Sequence, residues 1–371
     1  MLAMARVRPQ ASGMDTMPLA PIGGRAAWRG EDLSRSRFWP YRLAAAEIAA
    51  LDQALAAVKA RGLAPPGFGA EAFPIPGLAP LLAAMLEELD AGTGVVRLSG
   101  LPVERYDMAD LKRIFWGLSV NLGIPLYQTR GGEVLAEVKD ESGTGRAIMG
   151  VDPVTGGVAQ SRARSRSTGP LRFHTDRCDL LSLLCASNGI EGGVSKVVST
   201  VAINDEIGRR RPDLLEVLHQ DFWRMRPPEE QAGPDGRMFR MPVFGRGPDG
   251  AFTSNYSRTY VELAHAEPGM PPLEGKQLEA LDLLAQVAEE LCVQAPFTPG
   301  DIQFLNQHVT YHGRTAYADD AKAGAQRVLL RIWVCPPRSR ALPANHAVQW
   351  GDTRPGALRG GAVVGRSAIA A

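Results

Sequence analysis

The stretch Leu171-Arg172-Phe173-His174-Thr175-Asp176-Arg177-Cys178 carries a histidine and an aspartate two positions apart. In an extended run side chains alternate with period two, so His174 and Asp176 point the same way. An imidazole and a carboxylate on one face, leading into leucines 180, 181, 183 and 184, indicate a metal held at the mouth of a β-barrel. A third ligand must come from elsewhere. Asn306-Gln307-His308-Val309-Thr310-Tyr311-His312-Gly313-Arg314 offers two histidines. His312 and His308 compete for that place: His312 is followed by Gly313, which lets backbone approach a crowded centre, and His308 is otherwise a donor behind the ligands or simply a satisfied polar residue. With His174 and Asp176, a histidine from this stretch completes a two-histidine, one-carboxylate facial set suited to iron(II). Cys178 continues the same face if the strand runs on regularly. His219, His265 and His346 have no partners in pattern.

A second run, Arg327-Val328-Leu329-Leu330-Arg331-Ile332-Trp333-Val334, reads as a strand with Arg327, Leu329, Arg331 and Trp333 on one face. Two guanidiniums in so apolar a strand need anions if they face inward, because an unpaired buried charge is costly. Internal salt bridges are one solution. A bound dicarboxylate and an acidic substrate, each gripped bidentately, are the other. The fifteen positions from His312 to Arg327 allow one turn and a return strand to the same barrel end. Arg258, in Asn255-Tyr256-Ser257-Arg258-Thr259-Tyr260, is a further candidate for an anion, with an ordinary structural role as its alternative.

The elements that must position these groups follow from periodicity. Helices are expected over 42–59, 79–89, 108–121, from about 203, over 212–218 and over 273–292, where apolar residues recur at helical spacing. Short strands are expected at 95–98, 133–138, 180–186, 195–201, 301–305 and 327–334. Two Gly-Pro-Asp-Gly turns, at 233–236 and 247–250, bracket an apolar run and indicate hairpins. Residues 139–169 lack regular pattern, are rich in glycine, and directly precede the His174 segment, as a lid would. Within them Arg162, Arg164 and Arg166 lack the aromatic interleaving of a nucleic-acid site. Gly143-Thr144-Gly145 is not followed by the lysine of a phosphate loop. Strands lie on both sides of helical insertions without βαβ alternation. The expected architecture is mainly β with α additions: a double-stranded β-helix (jelly roll) core with flanking helices. One domain spans 31–345, residues 1–30 form a flexible tail, and 346–371 are a C-terminal extension.

Composition narrows the function classes. The 371 residues carry a net charge of +1, 45% hydrophobic and 22% charged residues. No global field draws the chain to nucleic acid or a membrane surface. The four cysteines form no CxxC pair, which reads as free thiols in a reducing compartment. No run of about 18 apolar residues exists to cross a membrane, and the N-terminus lacks a secretory h-region. A cytoplasmic protein acting on a small molecule is expected, with self-association left open.

In order, His174-Thr175-Asp176, Gly192-Gly193-X-Ser195, Asn306 to Arg314 and Arg327-X-X-X-Arg331 resemble the TauD/TfdA family of iron(II)/2-oxoglutarate dioxygenases, over about residues 90 to 335. The resemblance implies that His174, Asp176 and His312 bind iron and that Arg327 binds the distal carboxylate of 2-oxoglutarate. A threonine after the family's Gly-Gly turn assists the cosubstrate. Ser195 stands there, keeping the hydroxyl and losing the methyl. In taurine dioxygenase the second arginine holds the substrate's anionic group, which implies Arg331 here. The distal Asn-X-X-X-X-X-His-Gly-Arg motif looks closer to the carnitine-type and clavaminate-type branches. The implied reaction consumes O₂, turns 2-oxoglutarate into succinate and CO₂, and oxidises a C–H bond of a small anionic or amino-acid-like molecule, hydroxylation being the default. Two other readings compete: a jelly roll that binds metal and 2-oxoglutarate as a sensor without catalysis, and a zinc hydrolase, which would need a general base that nothing in the sequence nominates.

Overall fold

The computed structural model describes residues 20–142, 165–227, 230, 236–320 and 322–362. Most of the expected lid, Arg162 and Arg164, the first of the two Gly-Pro-Asp-Gly turns and both extreme termini lie outside the described residues.

Two sheets face each other. The larger has the order Tyr41–Arg42, Val95–Ser99, Ile302–Asn306, Leu180–Ser187, Val328–Cys335, and its last strand pairs on the free edge with both Ile124–Leu126 and Leu135–Val138. The smaller runs Val293–Ala295, Ser195–Ser199, Thr310–Arg314, Leu171–His174. Its pairings are antiparallel, as a jelly roll requires.

Alternation along each strand divides the core into three layers. Leu180, Leu184, Ile302, Phe304, Leu330 and Ile332 face outward from the larger sheet, under the helices Ala45–Ala60, Ala79–Asp90 and Met108–Leu122. Leu181, Leu183, Cys185, Leu305, Leu329 and Trp333 face the smaller sheet. Phe173, Val198 and Tyr311 leave the smaller sheet on its far side, against Thr200–Arg210, Pro212–Leu218 and Gly275–Leu291. Phe173 and Tyr311 point into that outer layer, so their neighbours His174 and His312 point into the barrel. Each fully buried leucine or phenylalanine contributes roughly 2 kcal/mol from burial, so this partition fixes the register of the ligand strands.

The helices hold within a few residues of the spans read from periodicity. Asp107 caps the third, accepting from Asp110 N at 2.7 Å. The turn at 247–250 closes the hairpin Phe244–Arg246/Phe252–Ser254. Met238–Pro242 pairs instead with Asp221–Met225, a strand that its mixed sequence Asp-Phe-Trp-Arg-Met conceals.

Three expectations are corrected. The strand carrying His174 ends there, and Asp176 follows in a loop. Cys178 therefore does not continue a ligand face. It is buried with Leu181, Val197 and Trp333, and burial pushes its thiol well up. Residues 20–30 are not part of a free tail, since Trp28 is buried and donates to Thr93 O, and the C-terminal extension docks through the buried Trp350 and Arg359.

Candidate metal centre and the two cavities that meet there

His312 sits opposite His174 across the Thr310–Arg314/Leu171–His174 ladder, with ring centroids 4.2 Å apart. Gly313 makes this approach possible: a Cβ there would lie 2.7 Å from Leu171 O. What the glycine accommodates is the partner strand. The loop after His174 is tied by Thr175 N donating to Tyr256 O (2.8 Å) and Asp176 N donating to Gln307 Oε1 (2.7 Å). His174, Asp176 and His312 are all buried, and each offers a ligand atom within 4.8 Å of the others.

The donor set is prepared for a cation. His174 Nδ1 donates to Arg172 O at 3.0 Å, which leaves the Nε2 lone pair 3.9 Å from Asp176 Oδ1. Asp176 Oδ2 accepts from Trp333 Nε1 (2.9 Å) and faces Arg331 Nη1 (3.4 Å). One carboxylate oxygen is therefore held and the other directed at the histidines. Burial would raise the Asp176 carboxyl, but Arg331, the two histidines and the Trp333 N–H outweigh it and hold it below the usual range. Burial lowers both imidazoles, His312 to about 3, so both stand neutral as ligands must. His312 Nδ1 meets no protein acceptor among the described residues. These residues fit a divalent metal that prefers mixed nitrogen and oxygen ligands.

Two cavities meet at the triad. The smaller, about 40 Å³, is lined by His174, His312, Ser195, Arg327, Leu329 and Arg331, among others. Pairing of Arg314 with Ser195 brings that hydroxyl beside the ligand strand. Arg327 immediately precedes the strand that was expected to begin with it. Its guanidinium is buried, packs over Tyr317, and leaves Nη1 without an acceptor; no carboxylate pairs with it among the described residues. Gly193 gives it room, since a Cβ there would lie 2.6 Å from Arg327 Nε. The larger cavity, about 110 Å³, lies on the other side of His174 and Asp176, between Tyr256, Arg224 and Trp333.

The remaining candidates separate. Arg331 lines both cavities, but its Nε donates to Gln128 Oε1 (2.6 Å) and its Nη1 faces Asp176. It is committed to the metal's carboxylate, where the sequence pointed to a substrate anion. Arg258 pairs with Glu262 (2.7 Å) and Asp282 (2.6 Å) and lines neither cavity; helix spacing and a nearby acid give it the structural role. His308 sits behind the ligands, Nε2 on Asp179 Oδ1 and Nδ1 on Thr253 Oγ1, both at 2.8 Å. Sequence reasoning missed Gln128, Gln307, Asp179 and Arg224. Trp333 was placed on the Arg331 face, and that alternation was the available signal for its contact with Asp176.

The profile of the "Taurine catabolism dioxygenase TauD, TfdA family" matches residues 59–333. The chain is 26% identical over 337 residues to FR-33289 synthase of Streptomyces rubellomurinus, covering 89% of this chain and 95% of that one. It is 28% identical over 333 residues to the taurine hydroxylase-like protein SAT17 of Stachybotrys chartarum, covering 85% and 82%. Among solved structures, asparagine oxygenase with Fe(II), 3-hydroxyasparagine and succinate superposes with a TM-score of 0.58 at 18% identity, covering 79% of this chain and 92% of that one. The non-haem iron oxygenase OrfP with Fe and alpha-ketoglutaric acid gives 0.57 at 16%, covering 79% and 92%. With the jelly roll, the buried triad and a match over most of its length, the chain belongs to the TauD/TfdA family of iron(II)/2-oxoglutarate-dependent dioxygenases.

Proposed function

We propose that His174, Asp176 and His312 hold iron(II), that Arg327 and Ser195 hold 2-oxoglutarate in the smaller cavity, and that a small anionic or amino-acid-like molecule is hydroxylated in the larger one. The observation that carries this is the junction itself: His174 of a buried two-histidine, one-carboxylate triad lines both cavities, Asp176 lines the larger and His312 the smaller, and the smaller is also lined by Arg327, which has no carboxylate partner among the described residues. When bound, iron and 2-oxoglutarate supply the oxidising chemistry, in which O₂, 2-oxoglutarate and a C–H bond give succinate, CO₂ and C–OH.

The chain's own residues position and exclude. Arg327 supplies a fixed positive charge for a distal carboxylate, and the Ser195 hydroxyl adds a donor beside it. Trp333 and Arg331 fix the Asp176 carboxylate, so it need not reorganise when a metal arrives. Leu183, Phe297 and Leu329 keep water from the smaller cavity. A larger cavity of about 110 Å³ suits a molecule of amino-acid size, and the hydroxylated amino acids held by asparagine oxygenase and OrfP support that class.

Purified protein supplied with iron(II), ascorbate and 2-oxoglutarate is expected to form succinate, and His174→Ala or Asp176→Ala to abolish it. Retention of both metal and succinate formation by the two variants would place the centre elsewhere. Tight 2-oxoglutarate binding without oxygen uptake over a panel of amino acids, betaines, sulfonates and aryloxy acids would make the protein a sensor.

A further inference from the structure

Among its described lining residues the larger cavity carries more guanidiniums than carboxylates. Arg177, Arg224, Arg226 and Arg331 line it, with Asp176 and Glu230 as the only acids among the described lining residues. Both acids are engaged. Glu230 takes Arg177 bidentately at 2.8 and 2.9 Å, and Asp176 faces Arg331.

Arg224 is the unbalanced member. It lies in the strand Asp221–Met225 and is 3% exposed. Its Nη1 donates to Asn255 Oδ1 (2.6 Å), and its Nη2 to Pro242 O (2.8 Å) and Asn255 O (2.9 Å). All three acceptors are neutral. Nε meets no acceptor among the described residues. Asp221, the carboxylate whose field reaches it, is at the surface, 3.9 Å from Arg240.

The neighbouring phenols do not supply the missing charge. Burial pushes Tyr256 up to about 12 and Tyr311 higher still, so both stay protonated. His346, also fully buried, is kept neutral by burial and by the charge of Arg224, with a pKa of about 3. Burial pulls Arg224 itself down only to about 10, so it remains a cation at neutral pH. An unpaired buried cation costs several kcal/mol, and the cavity that Arg224 lines offers an anion a place beside it.

We propose that Arg224, rather than Arg331 or Arg258, is the receptor for the substrate's oxyanion, and that the substrate is a small acid bearing a carboxylate, sulfonate or phosphonate that is held here while its C–H bond faces the triad. The proposal rests on the oxygenase reading for the words "substrate" and "C–H bond" but not for the anion site. Arg226, the next lining residue but one, packs over Phe239 at 4.8 Å and donates to Val348 O (3.2 Å). Asn255 orients Arg224 through both its side chain and its carbonyl, and so acts as a positioning residue.

The test uses the full chain loaded anaerobically with iron(II) and saturated with 2-oxoglutarate, so that Arg327 is occupied. Propanoate, propane-1-sulfonate and propylphosphonate are compared with the neutral propanamide by calorimetric titration. At least one oxyanion is expected to bind about tenfold or more tightly than the amide, the scale of one charge-assisted contact. Arg224→Gln should remove that preference and leave 2-oxoglutarate affinity within about twofold. The oxyanion that binds best identifies the head group. Asn255→Asp is the second variant: it puts a carboxylate on Arg224 from within, so it should raise the melting temperature of the unliganded protein and abolish the anion preference. A merely structural Arg224 would give the first effect without the second, and Asn255→Asp decides the matter where Arg224→Gln fails to fold. Equal binding of oxyanions and amide by the wild type, or an anion preference that survives in the folded variants, overturns the proposal. Succinate formation in the same preparation after O₂ is admitted separates the two readings: anion binding through Arg224 without turnover keeps the site and removes the oxygenase, and turnover without Arg224 dependence does the reverse.

Discussion

Arg359→Met should destabilise the protein and loosen its metal centre, although the arginine is distant in sequence from every ligand. The Arg359 side chain is 0% exposed and faces Asp179 at 2.6 Å from Nη2 and 3.0 Å from Nε. Burial works to raise the Asp179 carboxyl, but hydrogen bonds from His308 and Arg359 keep it ionised. Removing Arg359 leaves a buried carboxylate with one neutral imidazole donor, and breaking a buried pair in this way costs about 3–5 kcal/mol. The loss is transmitted. Asp179 O accepts from Gln307 N (2.9 Å), Gln307 Oε1 accepts from Asp176 N (2.7 Å), and Gly361 N donates to Arg177 O (2.7 Å). The ligand loop is thus held from both sides by groups that Arg359 anchors. Urea unfolding followed by circular dichroism should show the drop, and iron(II) titration a fall in affinity of about tenfold, the scale of an outer partner's removal. Asp179→Asn combined with Arg359→Met removes both charges and should recover much of the stability, because the pair is coupled. An Arg359→Met protein within about 1 kcal/mol of wild type, or a double variant no more stable than the single one, would refute the reasoning.

Arg327→Met should raise the dissociation constant for 2-oxoglutarate by about 2–3 kcal/mol, roughly fiftyfold, the scale of a lost charge-assisted hydrogen bond; anaerobic titration of the iron-loaded protein checks it. Trp333→Phe removes the 2.9 Å donor to Asp176 Oδ2 but keeps most of the ring, so iron affinity should fall about tenfold with little change in melting temperature. Stability should also fall with acid. Burial lowers His308 to about 4, whereas an unfolded histidine takes its proton near pH 6.5. The unfolded state therefore binds more protons between these values, and the stability contributed above about pH 6.5, about 3 kcal/mol from His308, is lost as pH falls towards 4. Urea midpoints measured from pH 7.5 to 4.5 report the slope, and a flat profile would remove the neutral, buried His308.

The parts legible in the sequence were those governed by period and order. Alternation at 327–334 and helical spacing at 108–121 and 273–292 predicted real elements, since the strand is buried on both faces and each helix along one. His174 was found by its spacing from Asp176 and His312 by the glycine after it and the order of the motifs; the structure adds that each is the inward neighbour of an outward aromatic. Asp176 was found by an argument that the structure replaces: the strand stops at His174, and side-chain tethers from Trp333 and Gln307, far along the chain, give the aspartate its direction. Such tethers have no period. Asp179 and Arg359 are 180 positions apart, and nothing local to Arg359 distinguishes it from the other arginines of a polar, glycine-rich end.

Burial of charge carries the information that period does not. Arg97, Arg331 and Arg359 are buried, and each faces an aspartate: Asp301, Asp176 and Asp179. With forty acidic residues in the chain, neutralising a buried guanidinium is within the sequence's means. Arg224 and Arg327 are equally buried, yet neither has a carboxylate partner among the described residues. If burial were only a packing accident, such residues would have no reason to share a location. Instead Arg327 lines one of the two cavities that meet at the triad and Arg224 lines the other. A cation unpaired in the protein and facing a cavity is stabilised when an anion arrives, so its cost in the empty protein becomes affinity in the complex. Under the proposed function, Arg327 and Arg224 would mark two anion sites on opposite sides of one metal centre, as a dicarboxylate cosubstrate and an acidic substrate require.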